Sequence, residues 1–533
     1  MIYKFLPFLL WFKDYSIGKF RIDLLAGITV ALVLIPQSMA YAQLAGLPAY
    51  YGLYAAFLPP MVAALFGSSR QLATGPVAVV SLMSAASLEP LATAGSAEFI
   101  AYSIVLALTV GSIQLSLGVL RLGLVVNFLS HPVVNGFTNA AAIIIASSQF
   151  SKFFGVYVDK AEHHYETLIR VAQAAIDYTH FPTLLYGVGA VAIMYTLRKI
   201  NPRIPNVLIA VAVTTVLSYF TGFNKDSYVA TDAVQINSFE EKIEAFNHSV
   251  REIERIGQKR ADIGLMIDQE KAHSSSDGHG GKTPEQVKLE SEVEILSIEL
   301  AEAKQHSSDL RTALRQMKFT GVPQGDSFAF YPQGEAPSGV EADSSTWRLS
   351  VGTVELDPSR LKFTGGGAIV GKIPEGLPTL AIPALDAKTF VKLLPNAIII
   401  SQLGFMYAID IAKAMAAQTG QKLDPNQELI GQGLANILGS IGSSYAVSGS
   451  FSRSAVNLQA GAVSGISSVI TSIMVVITLL FFTPLLYHLP QAVLAAVIMM
   501  AVIGLIIVKG FIHAWKAQWY DGAIAILSFV VTL

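Results

Sequence analysis

The sequence predicts an all-α polytopic membrane protein, and three observations carry that reading. Of 533 residues, 52% are hydrophobic and only 14% charged, with a mean hydropathy of +0.51. Apolar runs near the roughly 20 residues that a bilayer demands recur at 23–43, 51–66, 98–118, 132–150, 181–197, 204–222, 391–415, 465–486 and 492–508. Shorter or interrupted runs lie at 76–88, 427–442 and 452–462, and a last one starts near 520. The formal net charge of -2 points to no nucleic-acid partner, and the absence of cysteine removes disulfides and thiolate metal sites.

The N-terminal stretch MIYKFLPFLLWFKDYSIGKFR is apolar in its first half, but charges resume before the first span. It reads as an amphipathic helix on the membrane surface rather than a cleaved signal peptide. Lys13, Lys19 and Arg21 precede the first span. Arg70, Arg121, Arg198, Lys199, Arg203, Lys413, Lys422, Lys509 and Lys516 then all fall on the same side once the short runs are counted as spans. Basic residues in short loops mark the cytoplasmic side. The N-terminus is therefore expected in the cytoplasm and the loop 223–370 outside it, with the protein in the inner (plasma) membrane of a bacterium and the loop in the periplasm.

Residues 238–318 within that loop are polar and charged. Leu289, Val293, Leu296, Leu300, Ala303, Leu310, Leu314 and Met317 follow alternate steps of three and four, with Ser307 at the polar seam position. That is a coiled-coil seam over about four heptads. Ile243, Phe246, Val250, Ile253, Ile256, Ile263 and Ile267 form a second periodic arm that shifts register near Gly257. HSSSDGHGGKTPEQ between them is a turn with a capping-type restart. An antiparallel helical hairpin with arms of roughly 50 Å follows, flanked by short strands in SYVATDAVQI and TWRLSVGTVELDPSRLKFTGG. It is expected either to dock an extracytoplasmic protein partner or to be a tolerated insertion. His273 and His279 near Asp277 lie in a Ser/Gly linker, so no metal site is expected.

The chemistry concentrates in two broken segments. In GSSRQLATGPVAVVSLM, Gly75 and Pro76 set a helix start inside the membrane, with Thr74 expected as its cap. In SSYAVSGSFSRSAVNLQAGA, Gly449 and Ser450 mark another start, followed by Phe451, Ser452 and Arg453. Irregular polar backbone at membrane depth is tolerated where it is buried in protein or lines a cavity. Helix N-termini present unpaired N–H groups and partial positive charge. Two of them meeting beside Arg453 and the hydroxyls of Ser450 and Ser452 would make an anion site. The alternative is a Ser-rich helix contact with Arg453 snorkelling to an interface.

Taken together, IPQSMAYAQLAGLP, YGLYAAFLPP, FGSSRQLATGPVAVVSLM, VGKIPEGLP, DPNQELIGQGLANILGS and GSFSRSAVNLQAGA resemble, in order, the SulP family, the sulfate permease relatives of prestin and pendrin. The resemblance runs from residue 21 to about 515 and leaves out the insertion. It implies a 7+7 inverted-repeat fold: core domain 1–125 and 371–488, gate domain 126–222 and 489–533. It also implies elevator-like movement, a homodimer, and anion substrates such as sulfate, bicarbonate, chloride or dicarboxylates. The implied substrate-binding residues are Gln37, Tyr41, Gly75, Pro76, Val77, Ser450, Phe451, Ser452 and Arg453.

The chain departs from the family pattern in places. GFMYAIDIAKAM carries Tyr407 where many members have a glutamate and Asp410 where they have a serine. Asp410 is expected to take over ion coupling, or else to pair structurally with Lys413. AGAVSGISS lacks the usual Lys-Thr, and the insertion is not typical. The chain ends in GAIAILSFVVTL, so the last helix or helices and a STAS domain are expected to be missing from a fragment or trimmed protein. In DPNQELIGQGLANI, Asp424 and Pro425 read as helix cap and first turn, the glycines as close helix contacts, and Glu428 as a partner for a basic loop residue.

The function expected is proton symport of an inorganic anion, sulfate first. Sodium-coupled bicarbonate transport and dicarboxylate transport are the near rivals, and an uncoupled channel or a scaffold is the rival of another class. No nucleophilic triad, Walker-type loop or metal spacing is present, so neither an enzyme nor a cofactor is expected.

Overall fold

The computed structural model describes residues 6–89, 91–92, 94–123, 131–159, 164–201, 204–276, 283–325, 327–337, 342–343, 345–383, 387–503 and 508–532. Asp277 and His279 lie outside them. The chain divides into two compact units: Met1–Val156, Lys160–Thr221 and Ala368–Leu533 form one; Tyr157–Asp159 and Gly222–Gly367 form the other.

The first unit opens with a 3-10 turn, Pro7–Asp14, and not with an amphipathic α-helix. Helix α1 (Ile17–Leu44) then starts six residues before the expected span. Ser16 caps it, accepting from the Lys19 amide at 3.3 Å. The early charge Asp23 is tolerated inside because it is fully buried and satisfied: Tyr15 Oη donates to it at 2.8 Å, Ser464 Oγ at 2.6 Å and the Val463 amide at 2.7 Å. Pro36 sits inside α1 just before Gln37 and removes one helical hydrogen bond there.

The chain continues through α2 (Tyr50–Tyr54), α3 (Leu58–Phe66), β1 (Ala73–Gly75), α4 (Ala78–Leu88), α5 (Ala97–Val119), α6 (His131–Ser148), α7 (Phe150–Phe154), α8 (His164–Tyr178), α9 (Phe181–Ile200) and α10 (Asn206–Phe220). Gly52 in α2 packs on the backbone of α1: a Cβ there would lie 1.9 Å from the Ser38 carbonyl oxygen. Helix α8 was not expected from the sequence; its strongly amphipathic, charge-bearing sequence gives no long apolar run.

After the second unit, which holds β2 to β6, α11 and α12, the first resumes with α13 (Ala387–Thr419), α14 (Pro425–Ile441), β7 (Ser448–Ser450), α15 (Phe451–Gln459) and α16 (Ile466–Ile477). A π-helical turn (Thr478–Phe482), α17 (Thr483–Leu486), α18 (Gln491–Ile503), α19 (Val508–Ala517) and α20 (Trp519–Thr532) follow. Among the described residues, Ile17–Leu44, Ala97–Val119, Phe181–Ile200, Thr389–Thr419 and Ile466–Leu486 are long and apolar enough to cross a bilayer.

Glycines set the closest helix contacts. A Cβ on Gly111 would meet the Gly433 carbonyl at 2.7 Å, and one on Gly431 would meet Gly67 Cα at 2.6 Å. Helix α14 is thus clamped between α5 and the end of α3. Glu428 does not pair with a basic residue, as expected from the sequence. Its carboxylate instead accepts from the backbone amides of Ser68 and Ser69 at 2.9 and 3.0 Å. The glycine contact brings those amides within hydrogen-bond reach of the carboxylate.

The second unit is built on β2 (Asp226–Val229), β3 (Phe319–Gln324), β4 (Ser327–Pro332), β5 (Thr346–Leu349) and β6 (Leu361–Thr364), paired antiparallel in the order β2-β6-β5-β3-β4. Strands β3 and β4 went unexpected; Gly325, with φ of +61°, opens the tight turn that joins them. Helices α11 (Phe239–Ser276) and α12 (Pro284–Gln316) are the long arms. A capping box starts α12, with Thr283 and Gln286 bonding reciprocally.

The arms carry two separate apolar clusters. Phe239, Ile243, Phe246, Val250 and Leu314 join the sheet residues Phe319, Phe330, Trp347 and Phe363 in one core. Ile256, Ile263, Ile267 and Leu296 pack together further along. Asp159 ties to α12 through Arg311 Nε and Arg315 Nη1, both at 2.8 Å, and Ser308 Oγ at 2.9 Å. Burial would raise the Asp159 carboxyl, but the charges of Arg315 and Arg311 outweigh it and hold the carboxyl below its usual range.

A carboxyl depressed in the folded state stabilises above its unfolded range, about pH 4, and that contribution is lost as pH falls through the lower folded value. The protection factors of the amides along 308–316, that is, exchange relative to the intrinsic rate at each pH, are expected to be high at neutral pH and to fall on acidification towards the folded value. In Asp159→Asn they are expected to be low throughout. Leaving two largely buried arginines without their counter-charge costs on the order of 3 kcal/mol. Equal protection in wild type and Asp159→Asn at pH 7 would contradict this.

Candidate functional site

The two broken segments of the first unit meet as a small antiparallel ladder: Ala73 opposite Ser450, Thr74 opposite Gly449, Gly75 opposite Ser448. Because the strands run in opposite directions, α4 leaves from one end of the ladder and α15 from the other. The N-termini of the two helices therefore flank a ladder only about 10 Å long. Each contributes amides with no acceptor inside its own helix. Strand pairing was not expected from the sequence, since three residues give no readable alternation.

It also corrects the expected caps. Thr74 is not the cap of α4: it lies within β1, and its Oγ1 accepts from Gln432 Nε2 at 2.8 Å. The N-cap is Val77, in extended conformation, so Pro76 stands just outside the helix. Ser450 is the N-cap of α15, without a side-chain capping bond, and Gly449 lies in β7.

Arg453, in the first turn of α15, has 0% exposure. Its Nε, Nη1 and Nη2 have no hydrogen-bond partner among the described residues. A guanidinium stays charged in a protein, so a full positive charge sits here without a counter-charge among the described residues. The walls around it are defined. A Cβ on Gly75 would come within 3.2 Å of Arg453 Nη2 and 3.7 Å of Leu34 Cδ1. Gly75 has φ of +147°, which disfavours any side chain there. Tyr41 and Tyr445, both buried, lie within electrostatic range of the guanidinium.

Gln37 is buried one turn before Tyr41 on α1, a helix that packs on both α4 and α15, and its Oε1 also lacks a partner among the described residues. Ser452 is exposed and lies 3.4 Å from Ser450 by their hydroxyls, while Phe451 is 57% exposed. The structure thus brings Gly75, Arg453 and Tyr41 together, with Pro76, Val77 and Ser450 at the two helix starts.

Tyr407 and Asp410 stand elsewhere on α13. Tyr407 Oη shares a hydrogen bond with Thr138 Oγ1. Asp410 is half-exposed and pairs with Lys413 at 3.8 Å. No described contact joins either residue to Arg453. Sequence reading missed Tyr445, whose Oη lies 3.3 Å from Ser81 Oγ, because an isolated tyrosine before a glycine-serine turn carries no pattern.

Comparison with known proteins follows this geometry. The model of the sulfate permease family matches residues 20–267 and 353–528. The chain is 31% identical over 532 residues to sulfate transporter 4.1, chloroplastic, of Arabidopsis thaliana, covering 99% of this chain and 57% of that protein. The chain therefore spans little more than half the length of that relative, which is a plant protein and lends no support to a bacterial inner membrane.

The overall structure of SLC26A9 superposes with a TM-score of 0.67 at 20% identity, covering 99% of this chain and 64% of the other. The transmembrane domain of the cyanobacterial bicarbonate transporter BicA gives a TM-score of 0.61 at 18% identity, covering 97% of each. At these identities the likeness is one of fold. The family is one of transporters, not enzymes, and its match with the apolar helices marks an integral membrane protein. By the family match across most of its length, with the two broken segments inside it, this chain belongs to the sulfate permease family.

Proposed function

We propose that the chain carries an inorganic anion, sulfate first, held at the β1–β7 ladder by Arg453 and the starts of α4 and α15. The observation that carries this is the fully buried Arg453 guanidinium, whose three nitrogens have no partner among the described residues. An anion relieves the cost of that charge, and a tetrahedral divalent oxyanion presents acceptors to the guanidinium and both helix starts at once. The name of the plant relative agrees with sulfate. The fold likeness to a bicarbonate transporter keeps sodium-coupled bicarbonate as the second reading.

Transport is proposed to follow an elevator-like movement of a core (1–125, 371–488) against a gate (126–222, 489–533) in an inverted-repeat, dimeric arrangement. The N-terminus is proposed to be cytoplasmic and the second unit extracytoplasmic, in accord with the basic loops. Coupling is proposed to be to protons, through Asp410. Its ion-pair partner is a lysine, whose like charge disfavours a sodium ion at the same oxygens.

Labelled sulfate uptake into proteoliposomes, with and without an inward proton gradient, tests this. Gradient-driven uptake is expected in wild type. Arg453→Ala is expected to weaken sulfate by on the order of 100-fold, since it removes the buried partner of a bound charge. Asp410→Asn is expected to abolish the response to the gradient while leaving exchange. Absence of sulfate uptake, with sodium-dependent bicarbonate uptake in its place, selects the second reading.

The long arms are proposed to dock an extracytoplasmic partner without a part in transport. Removing all of 238–318 would strip Phe239, Ile243, Phe246, Val250 and Leu314 from the sheet core. Replacing 256–303 by a short linker removes only the distal cluster and spares that core. Uptake in that variant is expected within about twofold of wild type, because surface insertions tolerate shortening; loss of uptake in a folded variant would give the arms a transport role.

A further inference from the structure

Helix α14 carries three polar side chains at steps of four: Glu428, Gln432 and Asn436. All are at least 98% buried; Ser440, one step of four further on, is buried too, but its Oγ donates to the Ile437 carbonyl of its own helix and not to the ladder segments. Steps of four keep the three on one face. Each of the three is bonded to a different part of the two segments that build the ladder. Glu428 holds the approach to β1, accepting from the amides of Ser68 and Ser69 and, at 3.2 Å, from Ser68 Oγ. Gln432 Nε2 donates to Thr74 Oγ1 at 2.8 Å, in the middle of β1, and to Glu428 Oε1 at 3.3 Å.

Asn436 addresses the other strand. Its Oδ1 accepts from the Val447 amide at 2.8 Å and its Nδ2 donates to the Val447 carbonyl at 3.2 Å, immediately before β7. It thereby pairs with the backbone of Val447 as a neighbouring strand would. Gln114 Oε1 on α5 also accepts from Nδ2 at 3.0 Å, fixing the amide's orientation.

We propose that Glu428, Gln432 and Asn436 are positioning residues that set β1 against β7 in register, and with it the aim of the two helix starts on the anion. The inference rests on the anion reading of the ladder given above. The ladder has three residue pairs and cannot hold its own register. A slip of one residue turns every side chain of a strand to the other face. Gly75 would leave its place beside Arg453, and a bulkier group would take it. One rigid helix bonded to both strands removes that freedom. Glycine contacts at Gly431 and Gly433 keep the helix close enough to reach.

The test uses the full chain in detergent with two readouts: equilibrium dialysis with labelled sulfate, and amide exchange along 72–75 and 447–450. Gln432→Leu and Thr74→Val remove the two ends of one hydrogen bond. Each is expected to weaken sulfate about tenfold, and the double variant no further. Exchange should rise at 72–75 and stay at wild-type level through α5 and α14. Asn436→Leu should raise exchange at 447–450 instead. Where a leucine variant does not fold, Gln432→Ala and Asn436→Ala, which remove the same donors and acceptors without a branched apolar group, serve in its place.

Unchanged affinity and unchanged local exchange in folded variants would overturn the inference. So would exchange that rises evenly over α5 and α14, which marks ordinary stabilisation. A wild type that binds no sulfate while the exchange pattern appears as described would sink the sulfate reading and sustain the register inference.

Discussion

Everything in the first unit turns on a fully buried guanidinium that has no counter-charge among the described residues. Arg453 has 0% exposure, and none of its three nitrogens has a partner among the described residues. A charge in that condition costs several kcal/mol on an order-of-magnitude scale. It persists because the surrounding structure over-determines it. Gly75 supplies the space, α1 closes one side with Leu34 and Tyr41, and the ladder fixes where α15 begins. The arrangement is a buried positive site, and the proposed anion would relieve its cost.

The support for that site is polar. Ser454 Oγ receives the Ala73 amide at 2.9 Å, Asn457 Nδ2 donates to the Gln71 carbonyl at 3.2 Å, and Ser448 Oγ donates to the Gly404 carbonyl. Irregular backbone at membrane depth must find partners in protein, and these side chains provide them. The second unit solves its own problem by ordinary means. Phe319, Phe330, Trp347 and Phe363 make an aromatic core, with Phe330 and Phe363 stacked at 4.0 Å. Each unit therefore has its own reason to fold.

Much of this was legible in the sequence because hydrophobic run length and heptad spacing are local. The apolar runs became helices, Arg453 and Gly75 were singled out by charge at membrane depth and by broken-helix chemistry, and Tyr41 by the family resemblance alone. Other parts were not legible. The cap of α4 was assigned to Thr74 on local preference, whereas Gln432 and strand pairing claim that residue. Glu428 was expected to seek a cation, whereas a glycine contact delivered two backbone amides.

The amino-acid order alone decides that the chain is apolar enough to live in a bilayer, that two segments break their helices with glycine, proline and serine, and that one of them carries an arginine. These follow from solvation and from backbone propensity over a few residues. Packing decides the rest. Only when α14 lies against α3 and α5 do the two broken segments, far apart in the chain, come within hydrogen-bond reach as β1 and β7. Only then is Arg453 stripped of partners. Short-range preference cannot encode that, because the partners a side chain lacks are known only once every other segment has taken its place.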